Sequence, residues 1–366
     1  MHTLALAEEL AERGLDVHVY GLGPAGGEFF RPISVPFTLF PADESAGSLD
    51  EKVFLSVDSM ATGLAGVAGD FDLLHAQDCI SARAATRVRD AESGPCVVRT
   101  VHHIDDFTTQ ALIDCQRQAV LEPDHILVVS RLWQQIMRDD FGREARVVPN
   151  GVHPGRFGPI PPDVRERLRA SVGATDRPVY LAVGGIEPRK GPRDLFEALP
   201  YVRERGLDPV LVIVGGHSFQ DYRAYREAAL GRLPELGLRL GHDVIEVGTV
   251  DPDVLAQWFR SADVLAMPST KEGFGLVALE GLAAQVPVVA SSIPVFAEFL
   301  TDGVNALLPE VANPRAIADA LYRSTTDKVL RKALIKGGDQ LLPAFTWSES
   351  ARQHDVIYRE VLAAAT

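Results

Sequence analysis

The stretch Met267-Pro268-Ser269-Thr270-Lys271-Glu272-Gly273-Phe274-Gly275-Leu276-Val277-Ala278-Leu279-Glu280 decides how the rest of the chain is read. Before it, Asp263-Val264-Leu265-Ala266-Met267 is an apolar run of parallel-strand type; after it, Leu276, Leu279 and Ala283 recur at helical spacing. The turn between them stands at the carboxyl end of a strand and opens a helix. Gly273 and Gly275 remove side chains from that opening, so its unpaired N–H groups and positive dipole end are accessible to an anionic or hydroxyl-rich ligand. Glu272 lies in the loop. Glu280 lies one turn after Leu276, on or beside the face that should be core, where a carboxylate is costly without a partner. Two carboxylates so placed can bracket a ligand with hydroxyls at both ends. A glutamate near a helix start is also a common dipole or capping partner, a reading that suits Glu272 better than Glu280.

Working outward, the residues around this turn alternate apolar strands with helical segments, the pattern of a parallel α/β sheet. Strands are predicted near Val179 to Val183, Val210 to Val214, Val244 to Val247, Asp263 to Met267, Val286 to Ala290 and Ala306 to Pro309. The first is followed by Gly184-Gly185-Ile186-Glu187-Pro188-Arg189-Lys190-Gly191-Pro192, with Pro192 suited to a first helical position. Arg189 and Lys190 thus stand at a helix start, where two cations and the dipole favour a diphosphate, although surface cations are usually only solvated. If the strand order is 3-2-1-4-5-6, the loops after strands one and four flank the crevice where the order reverses. Those loops hold Arg189-Lys190 and Glu272. Gly215-Gly216-His217 and Gly248-Thr249-Val250 follow strands two and three, with His217 as readable as a loop histidine as a ligand contact.

The amino-terminal half repeats the alternation. A helix from Thr3 to Arg13 precedes strands near Val17 to Gly21, Val35 to Leu39, Asp72 to His75, Val97 to Val101, His125 to Val129 and Arg146 to Pro149. Gly21 to Glu28 reads as a turn without a G-x-G-x-x-G frame, and Asp43 to Asp50 as an exposed loop. His75 and Gln77, Thr100-Val101-His102-His103-Ile104-Asp105-Asp106, and Ser130-Arg131 all fall at strand carboxyl ends, where open sheets bind ligands. Val147-Val148-Pro149-Asn150-Gly151-Val152 is turn chemistry and, with the Pro-rich residues that follow, marks a linker.

The E-x7-E pattern within E-G-F-G-L-x-x-L-E resembles the signature of retaining nucleotide-sugar glycosyltransferases of family 4, which have the two-domain GT-B fold. The T-x-H at Thr100 to His102 and the V-P-N-G-V crossing are similar to other motifs of that family, and the likeness, sharpest in residues 183–310, spans essentially the whole chain. Where many members write G-R-L-x-x-E-K-G, this chain has G-G-I-E-P-R-K-G, so Arg189 is expected to replace an arginine at the place of Gly185. Members often follow the histidine with Asp, whereas here His103 intervenes.

The resemblance implies two Rossmann-like doubly wound domains facing a cleft: an acceptor-side domain over 1–150, a nucleotide-sugar domain over 151–346, and a helix over 347–366 that crosses back to the first. It implies that Glu272 and His102 meet the donor sugar, Glu280 the ribose hydroxyls, and Arg189, Lys190, Gly273, Phe274, Gly275 and Leu276 the diphosphate. His217 and Val250 would lie near the base, and His75, Gln77 and Asp105 on the acceptor side. The implied reaction moves a hexose from a nucleotide diphosphate sugar to an acceptor hydroxyl with retention, without metal or other cofactor. The acceptor is a saccharide, a lipid-linked group or a small molecule. An epimerase or phosphorylase of the same fold, and a non-catalytic nucleotide-binding protein, are the alternatives.

Composition agrees with an ordinary two-domain globular chain: 366 residues, 46% hydrophobic and 23% charged. A net charge of -14 argues against a nucleic-acid partner or a polybasic membrane anchor. Cys79, Cys96 and Cys115 lack metal-ligand spacing and an even count, which points to reduced thiols and a cytoplasmic setting. No apolar run reaches transmembrane length and no signal peptide is visible. A doubly wound domain should begin with a strand and a glycine-rich turn before its first helix. The expectation is therefore that the amino-terminal first strand is missing here and is encoded upstream of Met1.

Overall fold

A computed structural model describes residues 2–24, 27–29, 31–42, 47–92, 94–216 and 222–365. The chain divides into two compact units, residues 1–150 with 347–366, and residues 151–346. Among the described residues no helix is long and apolar enough to cross a membrane, and the three cysteines are free thiols.

The first unit holds β1 (Val19–Gly23), β2 (Phe37–Pro41), β3 (Leu73–Ala76), β4 (Cys96–Val101), β5 (His125–Val128) and β6 (Ala145–Val147). All pair in parallel, β1 with β2 in one sheet and β3-β4-β5-β6 in order in another. β1 runs two residues beyond its predicted end, into the segment read as a glycine-rich turn. The reason is packing: a Cβ on Gly21 or Gly23 would lie 3.1 Å from the Leu39 side chain of β2. Residues 25 and 26 of that segment lie outside the described residues. The loop read over Asp43 to Asp50 is corrected at its end, because Leu49 and Asp50 open the helix Leu49–Ala65. Ser48 caps it and Glu51 reaches back to the Gly47 and Ser48 amides at 3.0 Å each, a capping box legible as S-x-x-E. Residues 43–46 lie outside the described residues. The terminal helix Trp347–Ala365 belongs to this unit. Its Ala351 and Tyr358 pack on Leu6 and Leu10 of the helix His2–Glu12, and its Ile357 and Val361 on Val98, Leu127 and Val148. Each such aliphatic side chain, fully buried, contributes roughly 1.5–3 kcal/mol.

The second unit holds β7 (Val179–Val183), β8 (Val210–Val214), β9 (Val244–Gly248), β10 (Val264–Met267) and β11 (Val288–Ala290), in the order β11-β10-β7-β8-β9. Four of these strands read as near-continuous apolar runs because helices cover the sheet. Tyr180, Leu211, Ile213 and Val264 are buried with Leu195, Phe196 and Leu199 of the helix Pro192–Glu204 and with Ile317 and Leu321 of the helix Pro314–Thr326. Counted within the unit, the order is 3-2-1-4-5, so the reversal falls between β7 and β10. Ala306–Pro309, predicted as a sixth strand, forms only two isolated bridges, Leu307 with Val289 and Ala306 with Asp302. Leu307 N and O bond Val288 O and Ala290 N at 2.9 and 3.0 Å, and Pro309 then ends the run. Proline carries no amide to continue a ladder.

Candidate active site

Because β7 and β10 are neighbours, the loops leaving their carboxyl ends run side by side. They touch through backbone. Gly191 sits at φ +65°, and a Cβ there would fall 2.0 Å from Pro268 O, so only glycine permits the approach. Thr270 N donates to Arg189 O at 2.8 Å and staples the two loops. The staple brings the charged residues of both into one cluster. Lys190 Nζ lies 2.7 Å from Glu272 Oε1, Ser269 Oγ donates to the same oxygen at 2.8 Å, and Arg189 NH1 donates to Glu272 Oε2 at 3.4 Å. Behind them Arg189 Nε is 3.1 Å from Glu187 Oε2. That contact is an ion pair not aligned as a hydrogen bond, and the buried Glu187 Oε2 has no hydrogen-bond donor among the described residues. Glu272 and Glu187 are both buried, whereas Arg189 remains 44% exposed along its side chain. Two cations on a strand-to-helix turn, held by buried carboxylates, can receive an anion.

Beyond Glu272 the chain enters the helix Leu276–Ala283 through Gly275, whose φ of +95° and ψ of 48° are left-handed. Among the described residues no side chain caps this helix start, which leaves first-turn amides to other partners. Phe274 is buried and stacks on Phe299 with ring centroids 5.2 Å apart. Its side chain anchors the turn in the core; only its backbone is available to a ligand. Glu280 is part-exposed, and its carboxyl group has no hydrogen-bond or ion-pair partner among the described residues. Burial pushes its pKa up to about 7, against an opposing pull from the charge of Arg156.

The loops after β8 and β9 pack against the β7 loop through glycines. A Cβ on Gly215 would meet Gly184 backbone at 2.6 Å, and one on Gly185 would meet Gly216 O at 2.5 Å. Gly215 N donates to Gly248 O at 2.9 Å, next to Thr249 and the half-buried Val250. His217 lies outside the described residues. Between the loops and the sheet, a cavity of about 30 Å³ is bordered by Gly184, Gly185, Lys190, Met267, Pro268 and Ser269.

In the first unit the strand ends gather a histidine cluster. His102 Nε2 is 3.0 Å from Gln77 Oε1. His75 uses both ring nitrogens, Nδ1 with the Tyr358 hydroxyl at 2.6 Å and Nε2 with Thr100 Oγ1 at 2.8 Å, which leaves it no free ring atom for an acceptor. The ring of His2 stacks edge-on against His102, with centroids 4.4 Å apart, and against Trp347 at 5.1 Å. His354, 5.5 Å from the His75 ring, donates Nδ1–H to Ser350 O at 2.8 Å, so its buried Nε2 is an acceptor without a donor among the described residues. Burial keeps the four rings neutral: His102 is pushed down to about 3, with help from the charges of His103 and Arg99, and His354 to about 4. Burial likewise puts His2 and His75 well below the ordinary histidine value. Asp105 stands apart from this cluster. Its carboxylate is 3.3 Å from His103 Nε2, and its backbone bonds both ends of the Gln116 amide, at 2.8 and 3.0 Å.

Several of these residues escape a reading of the sequence. Ser269 stands in the signature stretch, but nothing in the sequence pairs its hydroxyl with Glu272. Arg156 follows the linker turn without any pattern of its own. Arg99 sits in the apolar run of β4, buried, with Nε and one terminal nitrogen lacking a hydrogen-bond partner among the described residues. His354 and Tyr358 share one face of the terminal helix at i, i+4 spacing, which is a packing signal as much as a functional one. Among the described residues no group of three or more His, Cys, Asp or Glu side chains is placed to hold a metal ion.

Comparison with known proteins bears on this geometry. The family profile described as glycosyl transferases group 1 matches residues 164–341, and that described as Glycosyltransferase Family 4 matches residues 1–156. The chain is 30% identical to a phosphatidyl-myo-inositol mannosyltransferase of Mycobacterium leprae, over 98% of this chain and 92% of that protein. It is 27% identical to a D-inositol 3-phosphate glycosyltransferase of Corynebacterium glutamicum, over 99% and 91%. Among solved structures it resembles a sucrose-phosphate synthase from Thermosynechococcus elongatus, with a TM-score of 0.80 and 24% identity over 98% of this chain and 92% of the other. It also resembles the Anabaena protein HepE in complex with UDP and glucose, with a TM-score of 0.79 and 19% identity over 97% and 95%. The chain belongs to the group 1 glycosyltransferases of family 4, and its two Rossmann-like units are those of the GT-B fold.

Proposed function

We propose that this protein is a retaining glycosyltransferase that moves a hexose from a nucleotide diphosphate sugar to an acceptor hydroxyl without a metal ion. The observation that carries the reading is the convergence of Arg189, Lys190, Glu272 and the uncapped helix start at Gly275 where the strand order reverses. Solved structures of the same fold in complex with UDP and glucose or with UDP-glucose support a nucleotide sugar as donor. In this reading Lys190, Arg189 and the amides of Gly273 to Leu276 stabilise the departing diphosphate. Glu280, whose carboxyl group has no partner among the described residues, takes the ribose hydroxyls. Val250 and the neighbouring loop face the base. The reading assigns His102 to the sugar on its T-x-H motif, with Gln77 orienting the ring. Glu272 holds sugar hydroxyls. The bond from the sugar's anomeric carbon to the phosphate oxygen breaks, the bond to the acceptor oxygen forms on the same face, and the leaving phosphate oxygen takes the acceptor proton.

A panel of UDP, GDP and ADP sugars tested for thermal stabilisation identifies the donor, since a ligand at 100 times its dissociation constant adds about 2.7 kcal/mol. Inositol-bearing acceptors come first in the activity assay, because two relatives carry inositol in their names. Product formation with the anomeric configuration retained, in chelator as in buffer, is the expected result. Inversion, a requirement for added metal, or interconversion of the donor without acceptor would each refute the corresponding part. Glu272→Gln is expected to lower turnover; unchanged turnover would reduce the loop acid to a helix cap.

A further inference from the structure

Lys190 and Arg189 are already paired with carboxylates in this structure. Their two positive charges face Glu187 and Glu272, so the cluster is formally neutral and does not by itself attract a diphosphate. The Lys190 side chain is 18% exposed and that of Glu272 only 7%, which leaves little room to add a third charged partner. An arriving phosphate can reach the exposed Arg189, but on Lys190 it must take the place of a carboxylate. Glu187 is the less free to move, since it is enclosed beneath Gly185, where even a Cβ would lie 3.3 Å from its Oε1. Glu272 stands in the loop, on Lys190 Nζ at 2.7 Å, Ser269 Oγ at 2.8 Å and Arg189 NH1 at 3.4 Å, with Gly273 next in the chain.

We propose that Glu272 is a built-in competitor for the diphosphate subsite, which yields Lys190 and Arg189 more readily to a ligand that gives it sugar hydroxyls in exchange. This rests on the nucleotide-sugar reading above and adds a discrimination to it. A carboxylate displaced from its cations and left buried pays the desolvation of an unpaired charge. An intact nucleotide sugar satisfies both sides of the exchange: its phosphates take the cations and its hydroxyls take Glu272. The nucleoside diphosphate product satisfies only the cations. Glu272 then returns to Lys190 and expels it, so one contact favours donor over product and drives release after transfer.

The test is calorimetric titration of wild type, Glu272→Gln and Ser269→Ala with UDP, GDP and ADP, and with the glucose and mannose conjugates of whichever binds. The neutral amide of Glu272→Gln no longer competes, so the affinity for the nucleoside diphosphate rises about tenfold, while that for the nucleotide sugar rises less or falls. Ser269→Ala keeps the carboxylate but removes a hydrogen bond that holds it on the loop, and shifts the donor-to-product affinity ratio in the same direction by a smaller factor. It carries the test alone if thermal unfolding shows Glu272→Gln to be misfolded. Binding by wild type with no gain for the diphosphate in the folded variants overturns the competitor and leaves the donor reading standing. Failure of wild type to bind any nucleotide or nucleotide sugar overturns both.

Discussion

The two edges of the second unit's sheet treat a carboxylate in opposite ways. At the amino edge, just before β9, the side chain of Asp243 is 1% exposed and saturated. It accepts from Arg203 NH2 at 2.6 Å, Arg177 NH2 at 3.0 Å, Arg239 Nε at 3.2 Å and the Arg239 amide at 2.9 Å, with His242 Nδ1 at 2.7 Å. Burial works to raise its pKa, but the donors from His242, Arg203 and Arg239 outweigh it and hold the carboxyl well below the usual carboxylate range. At the carboxyl edge Glu280 has no hydrogen-bond or ion-pair partner among the described residues, and burial raises it to about 7. Glu272 nearby is paired, but with cations that a ligand could claim. The same chemical group thus serves stability where every acceptor site is filled, and is available for binding where the fold leaves sites open. The asymmetry follows from the parallel sheet, whose helix starts, with their spare amides, all lie at the carboxyl edge.

Removing the saturated acid should have the largest effect. Asp243→Ala leaves three guanidinium groups around a buried gap and is expected to cost about 3–5 kcal/mol in urea unfolding, with nucleotide affinity of the folded protein unchanged. A loss no greater than the ~1 kcal/mol of a surface ion pair would erase the contrast. At the other edge, Lys190→Ala is expected to weaken nucleoside diphosphate binding by about 2 kcal/mol, roughly 30-fold, with little change for the bare nucleoside. Arg189→Ala does the same more weakly, because its guanidinium is more exposed. Equal losses for both ligands would remove the diphosphate role.

The first unit extends the comparison to groups that are held neutral. His2, His75, His102 and His354 bind protons less readily in the folded chain than in the unfolded one. Stability is therefore intact above the unfolded value near 6.5 and falls as the pH drops below it, by up to about 1.4 kcal/mol per pH unit for each histidine. Fluorescence of Trp133 and Trp347 should report an acid transition in this unit, and His354→Asn should make it shallower. The smallest effect is expected at Glu280. Ribose hydroxyls favour the carboxylate, so nucleoside affinity should rise with pH through about 7 by about 1 kcal/mol, and Glu280→Gln should flatten the profile. A pH-independent wild type would mean that Glu280 meets no ligand.

Much of the second unit was legible beforehand. Val179 to Val183 and Val210 to Val214 are strands at the predicted residues, because β-branched apolar runs bounded by glycine and proline have few alternatives. Legibility faded where a residue's state depended on distant packing. Gly21 and Gly23 belong to a strand since Leu39 needs their space, and Ala306–Pro309 makes only isolated bridges because Pro309 cannot donate. In the site, Phe274 fits its motif, yet its ring serves the core beside Phe299. His75 lay at the expected strand end, but Thr100 and Tyr358 claim both its nitrogens.

By itself, the amino-acid order determined where strands give way to helices, and hence that Arg189, Lys190, Glu272 and Glu280 stand on turns at the carboxyl ends of strands. Only the tertiary structure decided their partners. Glu272 meets Lys190 across 82 residues of sequence, and His75 meets Tyr358 across 283. Strand order sets those meetings, and the order is fixed by how whole sheet faces are buried. Local periodicity reports which face of an element is apolar, not which other element will cover it. For that reason the neutral pairing of the basic turn, the open carboxyl of Glu280 and the gathering of four uncharged histidines became visible only once the strands were in place.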